Sequence, residues 1–307
     1  MSSIKNVALS GATGWLGPTI LQVLTDNGFH MTLLTRRGSS SAGHFKSSKG
    51  VSIVEVDYQD VIELTKALQG IDAVVCTVGN PGLESQIPLI DAAVAAGIRR
   101  FIPSEFGSDP EQKNNKMLPF YQRKQNILDH LKAKAAENPG FSYTRVTTHA
   151  FFDWGIRERF LADAKTHSIT VYNGGNTPFS VTTLSTVGKA IVAILKNLKA
   201  TENCPIFIHD AAITQNQLIR IAKEADGIEW TVKEGDTKKL LQDSFEELKK
   251  PHPSVVKAEG GFVFVAVYDE DHEPDLTDRL NNQLLGLPVM NDLEVAEVIK
   301  NEMLRAQ

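Results

Sequence analysis

Residues 6–24, NVALSGATGWLGPTILQVL, carry the reading on which the fold depends. A β-rich apolar run, Asn6 to Ser10, leads straight into a loop with glycines at 11, 14 and 17, and that loop opens a segment with apolar residues at helical spacing. In a loop framed this way the first glycine makes the tight turn. The second lets the backbone approach a pyrophosphate, and the third lets the helix pack close to the strand. Amides at the helix N-terminus then face the phosphates, so Gly11, Thr13, Gly14, Trp15, Leu16 and Gly17 are candidate cofactor contacts. Pro18 costs the helix little, because its missing N–H is one that the first turn leaves unpaired anyway. A glycine-rich turn with no ligand is the plain alternative; the strand before and the helix after supply the context that a phosphate loop requires.

Working outward, β-rich runs alternate with helical patterns through the first half. NVALS, MTLLT, VSIVEV, AVVCTV, RRFIPS and FSYTRVT read as strands, with TILQVLTDNG, VIELTKALQG, IPLIDAAVAAG and FYQRKQNILDHLKAKAAE as helices between them. This alternation predicts right-handed crossovers and an α/β, Rossmann-type doubly wound parallel sheet, its strands apolar nearly throughout because helices cover both faces. After about residue 152 the rhythm is lost. We therefore expect a Rossmann domain over 1–152 and a mixed region over 153–307, part returning to that domain and part forming a smaller C-terminal substrate lobe. ITVYNGG and CPIFIHD read as late strands, and VGKAIVAILKN, TQNQLIRIAKEA and DTKKLLQDSFEELKK as helices. AEGGFVFVAVYDEDHE, within 258–274, reads as a strand or a lid entering a pocket.

The end of the second strand selects the dinucleotide. An acidic residue there would accept hydrogen bonds from the ribose 2′-OH of NAD. Here the strand runs MTLLTRRG, placing Thr35, Arg36 and Arg37 at its end, with Ser39, Ser40 and Lys46 soon after. Guanidinium forks match phosphate oxygens, so Arg36, Arg37 and Lys46 point to NADPH/NADP+ and its 2′-phosphate. A solvated basic turn is the alternative. Ligands bind at the carboxyl ends of strands in open α/β sheets, which brings in Thr77, Val78, Gly79 and Asn80 after the fourth strand and Ser104, Glu105 and Phe106 after the fifth.

GATGWLG, LLTRR, TVGN, QIPLIDAAVAAG and above all RRFIPSEFGSD resemble the isoflavone-reductase-like, NmrA-like branch of the atypical short-chain dehydrogenases/reductases. The likeness is strong over about residues 4–155 and scattered beyond. It implies a catalytic lysine in the pattern F, three residues, K, then apolar positions three and seven further on; Phe120, Lys124, Ile127 and Leu131 match. A classical short-chain dehydrogenase has tyrosine four residues before that lysine, on the same helix face. Phe120 has no proton to give, so acid-base work falls to Lys124, with Tyr121 a partial substitute. Without the matched position, Lys124 would read as a solvated helix lysine. The resemblance also implies aromatic contacts to the nicotinamide after the sixth strand, where His149, Phe151 and Phe152 stand; His149 takes a position that is often asparagine in the plant enzymes, and local hydrogen bonding is an equal reading of it.

Composition bounds the rest. The 307 residues are 42% hydrophobic and 22% charged, with a formal net charge of −5, which suits a large buried core and gives no reason to expect nucleic acid or an anionic membrane as partner. Cys76 and Cys204 sit in apolar runs and read as buried free thiols. No histidine or cysteine cluster has metal-ligand spacing, so no metal is expected. No run approaches a membrane span and the start lacks a signal-peptide pattern, which together read as a soluble, cytoplasmic chain, monomeric or homodimeric. The function expected is an NADPH-dependent oxidoreductase transferring hydride to a small aromatic or conjugated substrate. The alternative is an NmrA-like redox sensor that binds NADP(H) without turnover.

Overall fold

The structure, a computed structural model, describes residues 3–39 and 50–306. Strands and helices alternate through β1 (Asn6–Ser10), α1 (Gly17–Asp26), β2 (His30–Arg36), β3 (Val51–Val56), α2 (Val61–Ala67) and β4 (Ala73–Cys76). α3 (Gln86–Ala95), β5 (Arg100–Ile102), α4 (Pro119–Glu137) and β6 (Ser142–Thr147) continue the alternation. Next come β7 (Ala150–Phe151), α5 (Phe152–Arg157), β8 (Ser168–Tyr172), β9 (Phe179–Thr182), α6 (Leu184–Lys196), β10 (Cys204–Phe207) and β11 (Ala211–Ile213). The chain closes with α7 (Gln215–Asp226), β12 (Thr231–Gly235), α8 (Thr237–Leu248), α9 (Val255–Tyr268), α10 (Asn282–Leu285) and α11 (Asp292–Ala306).

Two compact units emerge, and they interleave along the chain. The first takes Met1–Phe106, Arg123–Val146 and Val187–Ile206; the second takes Gly107–Gln122, Thr147–Thr186 and Phe207–Gln307. The division is therefore not a single cut near residue 152. Residues 107–122 go with the second unit because the Gly107 carbonyl accepts from the amides of Thr148 and His149, while Asn115 Oδ1 pairs with His272 Nδ1 at 2.7 Å. Residues 187–206 go with the first unit because β10 extends its sheet beyond β6.

In the first unit the order is β10-β6-β5-β4-β1-β2-β3, and the ladders from β3 across to β6 are parallel. β4, β5 and β6 are buried at every position and β1 at all but its first, as strands covered on both faces must be. The strand sequence reverses direction between β1 and β4, which is the switch point where such sheets open a crevice. Ser10 pairs in register with Leu34 on one side and Cys76 on the other, so β1 and β4 end level while β2 runs two residues further, to Arg36.

The second unit holds two small sheets. In β11-β9-β7 the first pair is antiparallel and the second parallel, and β8 pairs in parallel with β12. Its core gathers Phe152, Ile156, Phe179, Val181, Ile213 and Tyr268. Residues 255–268, read from sequence as a strand or a lid, form a helix instead. Ser254 caps its N-terminus, and the apolar side chains of Phe262, Val265, Ala266, Val267 and Tyr268 are all buried, so tertiary packing overrides the β propensity of the run. Gly261 lies where a Cβ would strike Ser244 of α8, which lets the two helices pack closely. Neither cysteine is paired; Cys76 is buried, and Cys204 is half-buried where full burial was expected.

Candidate functional site: a cleft at the ends of β1, β2 and β4

A cavity of about 640 Å³ lies over these strand ends. Gly11, Ala12, Thr13 and Gly14 line it from the loop after β1, Thr35, Arg36, Arg37 and Ser39 from the end of β2, and Val56 to Gln59 from the end of β3. Thr77, Val78 and Gly79 line it after β4, with Pro81, Gly82 and Ser85 beyond. The end of β4 is tied to β1, since Thr77 donates from its amide (2.8 Å) and its hydroxyl (3.0 Å) to the Ser10 carbonyl.

The three loop glycines are glycine for different reasons. Gly11 has φ +84°, and a Cβ there would stand 2.6 Å from the Thr77 carbonyl carbon. At Gly17 a Cβ would stand 2.5 Å from the Ala12 carbonyl, so backbone packing alone excludes a side chain. Gly14 differs. Its φ is not positive and a Cβ would meet only the Gly11 carbonyl oxygen at 3.4 Å and that of Thr77 at 3.7 Å, ordinary contacts within the chain. The space in front of Gly14 belongs to the cavity.

The β2 end is cationic but not uniformly so. Arg36 and Arg37 are both exposed, yet Arg37 donates to Glu63 at 2.7 Å, and that hydrogen bond, together with the charges of Glu63, Asp57 and Asp60, raises its already high pKa. The Thr35 hydroxyl is buried with no hydrogen-bond partner among the described residues. Tyr58 donates to the Leu34 carbonyl at 3.0 Å and shares a 2.7 Å hydrogen bond with Ser10; burial pushes its phenol up.

Lys124 lies on α4, four residues after Phe120, and is buried; its Nζ is 3.4 Å from Oε2 of the fully buried Glu105. Tyr121 is also buried and packs edge-on against the Phe120 ring, centroids 5.0 Å apart. Cys76, at the end of β4, has its thiol pushed up to about 12, chiefly by burial, with the Glu105 charge adding to it.

A profile of the NmrA-like family matches residues 3–250. The chain belongs to the NmrA-like family. Among its relatives, "Oxidoreductase aprR" of Aspergillus flavus is 34% identical over 96% of this chain and 98% of its own length. The phenylcoumaran benzylic ether reductase PT1 of Pinus taeda is 30% identical over 51% of this chain and 53% of its own. In fold, the leucoanthocyanidin reductase of Vitis vinifera, solved as a binary complex with NADPH, superposes with a TM-score of 0.80 at 21% identity, covering 97% of this chain and 99% of that one.

In this NmrA-like chain the cavity gathers Gly11, Thr13, Gly14, Arg36, Arg37, Thr77, Val78 and Gly79 from the residues singled out in the sequence. It does not gather them all. Trp15 is exposed, Leu16 and Gly17 are buried, and Lys46 lies outside the described residues. Lys124 does not line this cavity, and in the second unit Phe152 is fully buried in the hydrophobic core while Phe151 is half-buried beside Trp154. His149 is buried at φ +56°, and neither ring nitrogen has a partner among the described residues; burial lowers its pKa to about 4, so the ring is neutral at ordinary pH. Asp57, Tyr58 and Gln59 were missed in the sequence. The signal was present, since the rule that ligands gather at strand carboxyl ends applies equally to β3, whose end reads VDYQ. Among the described residues no three histidines, cysteines or carboxylates come together as a metal site, and no helix is long and apolar enough to cross a membrane.

Proposed function

We propose that this chain is an NADPH-dependent reductase of a small aromatic or conjugated substrate. The observation that carries the reading is the cleft itself: it opens at the sheet's switch point, has Gly14 on its wall, and puts Arg36, Arg37 and Ser39 where an NAD site would hold an acid. The names of the fungal and pine relatives, an oxidoreductase and a benzylic ether reductase, support the reaction class, and the NADPH complex of the grapevine enzyme supports the cofactor.

The residues present suit the group. Gly11, Thr13 and Gly14 would take the pyrophosphate, Arg36 and Arg37 the 2′-phosphate, and Thr77, Val78 and Gly79 the side toward the nicotinamide. Bound NADPH supplies a hydride. Lys124 would hold the proton for the reacting oxygen, because Phe120 at the tyrosine position has none. His149, Phe151 and Phe152 are proposed on the resemblance alone.

Titration by nicotinamide fluorescence tests this. NADPH is expected to bind at least tenfold more tightly than NADH, a difference of about 1.4 kcal/mol or more. Arg36→Ala is expected to erase the preference. Equal affinities for the two cofactors in the native protein would refute the assignment.

A further inference from the structure

The pairing of Lys124 with Glu105 is costly in itself. Lysine Nζ and carboxylate Oε2 are 3.4 Å apart, with the lysine side chain 8% exposed and the glutamate side chain fully buried. Two opposite charges taken out of water seldom stabilise a protein more than apolar side chains of the same volume would. Yet both flanks are anchored. On the β5 side, the Ser104 amide donates to Gln86 Oε1 and its hydroxyl to the Val78 carbonyl, each at 2.8 Å, which seats Glu105 beside the end of β4. On the α4 side, Arg123 donates to both carboxylate oxygens of Glu84 (2.5 and 2.9 Å) and to the Asn80 carbonyl (2.8 Å), fixing the turn that carries Lys124. Val78, which takes the Ser104 bond, also lines the cleft.

We propose that Glu105 is a positioning residue for Lys124: its buried carboxylate, 3.4 Å from Nζ, holds the ammonium in place and sets its direction. The inference rests on the reading of Lys124 as the proton donor. When that proton leaves Nζ for the substrate oxygen, the electron pair stays on the amine, and a solvent proton must restore the ammonium. A carboxylate at 3.4 Å holds the amine in place while that proton returns. Glu105 itself neither gains nor loses a proton.

The test uses the whole protein without cofactor, labelled with ¹⁵N at lysine Nζ, and Lys124→Arg identifies the Lys124 signal by its loss. An ion-paired ammonium shielded from water exchanges its protons slowly and gives an Nζ–H correlation. The signal is expected in the native protein, to vanish or move in Glu105→Gln, and to return at least in part in Glu105→Asp. A folded Glu105→Gln protein with the native signal overturns the proposal. Thermal melts of native, Glu105→Gln, Lys124→Met and the double variant supply a second measurement, with Glu105→Asp taking the glutamine's place if that variant does not fold. Additive losses overturn the pairing, and a double variant less destabilised than the sum supports it. Once a substrate is in hand, Glu105→Gln should lower kcat by about tenfold or more with NADPH affinity unchanged. Should Lys124→Ala turn over normally, the proton-donor reading falls, while the lysine signal still decides whether Glu105 holds Lys124.

Discussion

At the scale of single residues, glycines of one loop separate the demands of the chain from those of a ligand. A side chain at Gly11 would collide with the Thr77 backbone and would also need a left-handed backbone. Gly11→Ala is therefore expected to cost roughly 2 kcal/mol or more of stability, read as a fall in melting temperature. Gly14→Ala should behave in the opposite way: melting within about 0.5 kcal/mol of native but NADPH bound at least tenfold more weakly, because the added methyl occupies cleft space and meets no backbone closer than 3.4 Å. Normal NADPH binding by that variant would place the pyrophosphate elsewhere. The arginines divide similarly. Arg37 is partly engaged by Glu63, so Arg37→Ala should weaken NADPH binding less than Arg36→Ala does, and parallel titrations of the two variants check the order.

At the scale of elements, α4 and α9 show what periodicity reveals and what it hides. The F, three residues, K pattern on α4 was readable through the family resemblance, and helical spacing adds only that positions 120 and 124 share one face. Lys124→Ala is expected to keep NADPH affinity and lose about 10²- to 10⁴-fold in rate, with kcat near native as the result that would sink the role. What the spacing did not reveal is the partner, since Glu105 arrives from the end of β5, nineteen positions earlier in the chain. α9 was misjudged because valine and phenylalanine in close succession favour strands when only one face is buried; here nearly every side of the segment is covered. A Cβ at Gly261 would meet the Ser244 side chain of α8, so Gly261→Ala should push Ser244 off its hydrogen bond to the Leu240 carbonyl and lower the melting temperature, whereas Gly260→Ala, which meets nothing, should not.

At the scale of the whole molecule, acid should act through the second unit. Its three buried histidines, His149, His209 and His272, all have their pKa lowered, burial being the largest cause in each. For His149 the folded value is about 4 against an ordinary 6.5. As pH falls below 6.5 the unfolded chain takes up a proton that the folded chain refuses, so stability is complete above that pH and is lost progressively down to about 4. The full difference for His149 is on the order of 3 kcal/mol. Denaturant melts at pH 7.5 and 5 should show the loss, and His149→Gln should reduce the pH dependence; a melt unchanged between those values would contradict it.

What the amino-acid sequence determined by itself is local and periodic: the glycine loop at the first strand's end, the alternation that makes a parallel sheet, and the basic pair where an acid would choose NAD; the lysine four residues after a phenylalanine stood out through the family resemblance. These are legible because turn geometry, helical repeat and strand repeat are set by near neighbours in the chain. Tertiary structure decided the rest. It brought Tyr58 of the β3 end into the cleft, placed 107–122 with the second unit, made a helix of 255–268, and closed Glu105 onto Lys124. Each of those outcomes depends on burial between segments distant in sequence, and burial, unlike periodicity, is a property of what a segment packs against.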